Sequence, residues 1–314
     1  MKHCVALFLS LLLAGAAPAM AQGKNMPDNI APRDFPLMGM QAFSFQSKVM
    51  GRTYDIVVRF PMAYLQSPDR RFPALVISDG NRFFGGAASA LMAVEAELEE
   101  PMILVGVGTP FEEGQAAYNV RRVHEFSPPG WDLKDAFGKT VAQTCEQNDV
   151  AKRDCIGGAP RYLTFLSREL LPFLAGGLRV DPEKLTLGGV SAGGYFAAWA
   201  MFQEGSPFKN YIISSPAMAY GDGEIFRAES AYAKKHDNLE AGVYLGSGSL
   251  ELSDAYLEGV GQVASGQARL GGLLRSRDYP GLSLHSEIHQ GLGHLDVVPV
   301  SYARGLRLLF GKQD

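Results

Sequence analysis

Apolar positions along this chain come in short unbroken runs set between longer amphipathic stretches. Residues 73–78, 102–108, 185–190, 211–216 and 242–246 are continuous or nearly continuous apolar runs of strand length. Such runs suit strands covered on both faces, as in a parallel sheet. Residues 54–60 alternate instead, as an outer antiparallel strand would, and residues 282–288 alternate in the same way. Helical periodicity falls between these runs, at residues 87–98, from Gly158 onward, roughly over 253–277, and over 298–310. In the helix that begins at Gly158, Tyr162, Leu163, Phe165, Leu166, Leu170, Phe173 and Leu174 form the apolar face. Pro172 inside it predicts a kink or an early end. Residues 109–157 lack a strong period and read as a long irregular region. Segments of that size in compact domains usually serve as lids or binding loops. Strands alternating with helices predict an α/β fold, a mostly parallel sheet with helices on both faces.

One strand–helix junction carries a chemical pattern. The run 185–190 ends in Gly189-Val190-Ser191-Ala192-Gly193, and a helix of small apolar residues follows. Gly-x-Ser-x-Gly at such a junction is a nucleophile-elbow pattern, which exposes a serine hydroxyl on a sharp turn above the sheet. Bulky side chains two residues either side would collide there, and Gly189 and Gly193 remove them. The helix N-terminus behind Ser191 favours developing negative charge.

A serine nucleophile needs a base, an acid and an oxyanion hole. His294 lies on the glycine-rich turn 291–294 after the last expected strand, and it completes the order serine, acid, histidine. His285 and His289 sit within or at the end of that strand and read as packing or surface residues. His236 reads as exposed. Glu251, in the turn after run 242–246, is the expected acid, and Asp254 on the start of the following helix is the alternative. The amide of Ala192 supplies one oxyanion donor. The turn Asp79-Gly80-Asn81 after run 73–78 supplies the second, from Gly80 or Asn81. Active sites of such sheets lie at the carboxyl ends of the strands, so all these turns should meet on one rim. Arg122 and His124, in the long irregular region, are candidate substrate contacts. Arg122 can equally be read as an ion-pair partner of Glu125.

Composition changes little in this picture. The chain has 314 residues, 46% hydrophobic and 20% charged, with a net charge of −4, and no basic run points to nucleic acid. No repeat or linker divides it, so one domain is expected over residues 22–314. Residues 1–21 read as a secretory signal: Lys2 and His3, an apolar core over residues 5–13, and Ala19-Met20-Ala21 as the cleavage site. The apolar core is too short to span a bilayer. A periplasmic or secreted protein without a membrane span in its mature form is expected. Removal of the signal takes Cys4 and leaves Cys145 and Cys155, which in an oxidising compartment predicts a disulfide. No histidine nearby supports a metal site there, and no cofactor is expected.

These residues together resemble the "Putative esterase" family of α/β-hydrolases, and most of all its ferric-siderophore (enterobactin-type) esterases. The likeness rests on Tyr54-Asp55-Ile56, on residues 75–81 ending in Asp79-Gly80-Asn81, on Val105-Gly106-Val107-Gly108 and on residues 122–128. It continues through Gly157-Gly158-Ala159, residues 189–194, Ser214-Ser215-Pro216, Gly248-x-x-Glu251 and Gly291-x-x-His294. The resemblance implies hydrolysis of a small-molecule carboxylic ester, with siderophore-type lactones as one substrate class. Ser215-Pro216-Ala217-Met218 departs from the bulkier Ser-Pro-Ser-Trp-Trp-type segment of those esterases. Glu125 and Ser127 replace an Asp and a Thr, and residues 130–156 look like an insertion over the pocket. A carbohydrate-ester deacylase, an acyltransferase or an inactive binding protein on the same fold are the other readings.

Overall fold

In β3 (Phe72–Ser78) every residue is buried. Ala74 and Val76 point into one apolar cluster, while Leu75 and Ile77 point into the other. A strand that is buried throughout needs cover on both faces, and that requirement sets the architecture. The computed structural model describes residues 39–312, so the signal segment foreseen at residues 1–21 lies outside them. All described residues fall within one compact unit.

The elements run in order: β1 (Met40–Ser47), β2 (Arg52–Arg59), α1 (Ala63–Gln66), β3, α2 (Gly80–Val94), β4 (Ile103–Gly108) and α3 (Gly114–Phe126). Next come α4 (Ala136–Gln147), α5 (Lys152–Cys155), α6 (Ala159–Phe165), α7 (Leu171–Gly177), β5 (Val180–Val190), α8 (Ala192–Met201) and β6 (Asn210–Ser214). The chain closes with α9 (Tyr220–Ala233), β7 (Ala241–Gly248), α10 (Ala264–Arg277), β8 (Leu282–His289) and α11 (Val297–Phe310). The eight strands form one sheet in the order β1-β2-β4-β3-β5-β6-β7-β8. β1 and β2 pair antiparallel, β2 meets β4 antiparallel, and every later pairing is parallel. Helices α2 and α11 cover one face and share a core with Leu75, Leu104 and Ile212. The other face carries the larger core, including Phe196 of α8 and Leu270 of α10. This is the mostly parallel α/β arrangement expected from the alternating runs, and the α/β-hydrolase fold that the family resemblance implied. No described helix is long and apolar enough to cross a membrane.

Residues 109–157 differ from the expectation, because α3, α4 and α5 occupy much of what read as irregular. The apolar stripes of these helices are narrow. In α4, Phe137, Val141 and Cys145 alone carry it, at helical spacing, and Asp135 caps the start by accepting a hydrogen bond from the Gly138 amide at 2.9 Å. Cys145 and Cys155 form the expected disulfide, tying the end of α4 to α5. Residues 159–177 are helical without a break, and Pro172 lies inside that run. Leu166–Leu170 takes up a π-helical turn directly ahead of it, between α6 and α7, and the shifted hydrogen bonding there accommodates the missing N–H. The helix expected over residues 253–277 begins only at Ala264, because turns fill the preceding segment.

Candidate active site

β5 ends at Val190 and α8 begins at Ala192, so Ser191 alone makes the turn. Its backbone sits at φ 59° and ψ −118°, a conformation that L-residues rarely adopt and that stores about 1–3 kcal/mol. Hydrogen bonds on either side hold it there. The Ser191 amide donates to the Ser214 carbonyl at 3.0 Å, and the Ala217 amide donates to the Ser191 carbonyl at 3.0 Å. The flanking glycines are required by space. A Cβ on Gly189 would lie 2.1 Å from the Gly193 carbonyl oxygen, and one on Gly193 would lie 2.5 Å from Ser78 Oγ.

His294 follows β8 through a turn in which Gly291 has φ 76°. Its Nδ1 lies 2.6 Å from Glu251 Oε1. Glu251 comes from the 3₁₀ turn Ser249–Ser253 that ends β7, and it is fully buried. Its other oxygen accepts from the Gly248 amide at 2.9 Å and from Ser215 Oγ at 3.2 Å. A carboxylate held by three donors has one orientation, so the ring it faces has one as well. Asp254 is exposed and accepts from the Tyr256 and Leu257 amides at 2.8 Å each. Those amides hold its carboxyl below the usual range, and the hydrogen bond to His294 comes from Glu251.

Ser191, Ala192 and His294 border a cavity of about 330 Å³. Arg122 of α3, Phe137 and Val141 of α4, and Tyr220 of α9 form much of its remaining wall. The sheet thus brings Ser191, His294, Glu251 and Ala192 to one rim from the ends of β5, β7 and β8.

The turn expected to supply the second oxyanion donor lies at the end of β3. Asp79 takes a left-handed conformation at φ 54°, and α2 starts at Gly80, so the expected turn is also a helix N-terminus. A Cβ on Gly80 would lie 2.7 Å from the Gly106 carbonyl carbon, so α2 starts pressed against β4. The Asn81 side chain donates to the Thr109 carbonyl at 2.8 Å, which ties the first turn of α2 to the end of β4. First-turn amides of a helix have no partner within it. The starts of α2 and α8 are neighbours, since a Cβ on Gly193 would also lie 3.4 Å from Asp79 Oδ2.

Arg122 does not pair with Glu125. Its Nε donates to Asp79 Oδ2 at 2.9 Å, and Nη2 reaches the Val190 carbonyl at 3.4 Å. Burial disfavours the guanidinium charge, but Asp79 outweighs it and holds the Arg122 pKa above its usual value. Glu125 turns the other way. It accepts from Tyr54 Oη at 2.6 Å and from Arg52 Nη1 at 3.4 Å, and burial pushes its carboxyl up to about 7. His124 does not line the cavity. Its ring packs on Gly158, where a Cβ would lie 2.6 Å from Cδ2, because its position on α3 faces α6. His289 Nε2 lies 2.8 Å from Tyr244 Oη in β7, and neither His285 nor His289 borders the cavity. Sequence reasoning did not foresee Asp79 as the partner of Arg122, nor Ser215 beside Glu251. For Asp79 the acid at the end of an apolar strand was a visible signal.

The family described as "Putative esterase" matches residues 47–255. The chain belongs to this family. Ferri-bacillibactin esterase BesA of Bacillus subtilis, a relative on the siderophore branch, is 23% identical over 279 residues, 87% of this chain and 90% of that protein. The siderophore enterobactin esterase of Emericella nidulans is 27% identical over 195 residues, 59% of this chain and 60% of its own length. Among solved structures, BES protein from Bacillus cereus superposes with a TM-score of 0.72 at 26% identity, over 91% of this chain and all (100%) of that one. Siderophore hydrolase EstA from Aspergillus nidulans gives 0.68 at 21% identity, over 89% and 98%. This member of the esterase family is an ester-hydrolysing enzyme, and it falls with the siderophore esterases as its motifs implied.

Proposed function

We propose that the chain is an exported serine esterase working through Ser191, His294 and Glu251, with siderophore-type lactones as its substrate class. The single observation that carries this reading is the 2.6 Å contact of His294 Nδ1 with buried Glu251, on a histidine that shares one cavity with the elbow serine. In the proposed reaction His294 takes the Ser191 proton through Nε2 while its Nδ1–H donates to Glu251. Ser191 Oγ attacks the ester carbonyl, and the amides of Ala192 and of Gly80 or Asn81 receive the oxyanion. The intermediate collapses, His294 returns the proton to the leaving alcohol oxygen, and water then hydrolyses the acyl-serine by the same route.

Arg122 supplies the charge for substrate recognition. Its Nη1 makes no hydrogen bond among the described residues, and its side chain, 21% exposed, borders the cavity. An anionic or catecholate group fits that position. The names of the relatives support a siderophore lactone as the ester, and the amino-terminal residues support export. A fluorophosphonate probe tests the chemistry directly, since it should label Ser191 and leave Ser191→Ala protein unlabelled. A hydrolysis screen of siderophore trilactones against feruloyl and acetyl sugars tests the substrate class. Preference for the sugar esters would overturn the lactone reading.

A further inference from the structure

The serine cavity is not the only recess on the catalytic rim. A second cleft of about 590 Å³ opens beside it, at the ends of β3 and β4. Asn81, Arg82, Phe111, Gln115 and Tyr118 line it. Helix α3 is the wall between the two spaces. Asn119, Arg122 and Val123 face the serine cavity, while Gln115 and Tyr118 face the second cleft.

The chemistry of the second cleft is specific. Phe111 is 88% exposed, an unusual state for a phenylalanine beside a recess. Arg82 is exposed and makes no salt bridge among the described residues; its guanidinium lies 5.7 Å from the Phe83 ring centroid. The Tyr118 ring adds a second aromatic wall, and its buried hydroxyl faces Asp79. An exposed cation with no salt bridge among the described residues, beside an exposed aromatic ring, asks for one ligand type. It is planar, aromatic and negatively charged.

The position of the cleft says which part of an ester it would hold. The leaving oxygen must take its proton from His294, and His294 borders the serine cavity. The alcohol is therefore drawn to that side. The oxyanion turn borders the second cleft through Asn81. A substituent on the carbonyl carbon that passes that turn would enter the cleft. Resting on the serine-esterase reading above, we propose that the cleft at Asn81, Arg82, Phe111 and Tyr118 is an acyl subsite for an anionic aromatic acyl group.

The test uses one alcohol and three acyl groups: 4-nitrophenyl acetate, benzoate and 4-carboxybenzoate. Phe111→Ala and Arg82→Gln are surface changes on a complete chain. Phe111→Ala should lower the benzoate-to-acetate ratio of kcat/KM about fivefold. Arg82→Gln should lower the carboxybenzoate-to-benzoate ratio by a similar factor, about fivefold at low salt. Ratios within twofold of the unaltered protein in both variants overturn the subsite. A measurement independent of turnover is calorimetric binding of free 4-carboxybenzoate to Ser191→Ala protein. Binding weakened about fivefold by adding Arg82→Gln supports the subsite, and no binding, or binding indifferent to that change, overturns it. Failure of the serine reading looks different, as hydrolysis that persists in Ser191→Ala protein.

Discussion

Arg122 Nε donates to Asp79 Oδ2 at 2.9 Å, and the same guanidinium reaches the Val190 carbonyl at 3.4 Å. Asp79 precedes Gly80, and Val190 precedes Ser191. One side chain therefore ties the turn that leads into α2 to the turn that leads into α8. If those two helix starts share the oxyanion, Arg122 sets the spacing between its donors. Arg122→Gln should lower kcat about 10- to 100-fold, short of the loss from deleting a donor outright. Arg122→Lys keeps the charge but not the two-point geometry, so it should restore KM more than kcat. A raised KM with unchanged kcat would reduce Arg122 to a substrate contact.

Ser191→Ala and His294→Ala should each lower kcat at least about 10³-fold, and the double variant should be little worse than either. Glu251→Gln should cost less, because the acid orients the base and stabilises its charged form. Asp254→Asn should be mild, since Asp254 caps a turn with both its bonds to backbone amides. Steady-state kinetics on one aryl ester compare all four, and a severe Asp254→Asn with a mild Glu251→Gln would reverse the acid assignment.

Glu125 offers a pH signature separate from catalysis. Burial raises its carboxyl from 4.5 to about 7, against the hydrogen bond from Tyr54 and the charges of Arg52 and Arg121, with Asp79 adding to the rise. The folded protein holds this proton more tightly than the unfolded chain. The contribution is therefore complete below about 4.5 and is lost as pH rises through about 7. Its upper size is about 3 kcal/mol. Glu125→Gln should flatten the fall in Tm between those pH values. An unchanged Tm profile would show that Glu125 titrates normally.

The disulfide joins the end of α4, whose Phe137 and Val141 line the serine cavity, to α5. Closing so short a loop contributes on the order of 2–3 kcal/mol. Replacing both Cys145 and Cys155 by Ser should loosen α4 more than the sheet. We expect KM for a bulky ester to rise several-fold relative to a small one, with a modest drop in Tm. Equal kinetics on both esters would make the bond a staple unrelated to the pocket. Mass spectrometry of the protein as isolated checks that the pair is oxidised.

The central strands and the serine turn were legible because their signals are local. An all-apolar run such as β3 has one solution, and Gly189 and Gly193 announce a turn that tolerates no side chain. The choice of Glu251 over Asp254 was legible only as a preference, because the two differ by which one a distant histidine meets. Helices α3 and α4 were obscured for a different reason. Arg121 and Glu125 of α3 are buried polar residues, satisfied by Thr53, Glu113, Tyr54 and Arg52 from elsewhere in the chain. Periodicity counts such positions as polar face, so the helix looks like loop. The Arg122–Glu125 pairing and the His124 contact failed likewise, since neighbours on one helix turned to partners on different elements.

The order of the sheet also governs when activity becomes available. The serine turn is complete once β5 and α8 lie against β3, but His294 stands beyond β8, which needs β7 as its template, and β7 needs β6. If Ser191 and His294 work as proposed, a chain emerging amino-terminus first would hold its serine turn before the histidine has a place beside it. An ester hydrolase with that triad would stay silent until the last parallel strand is in place.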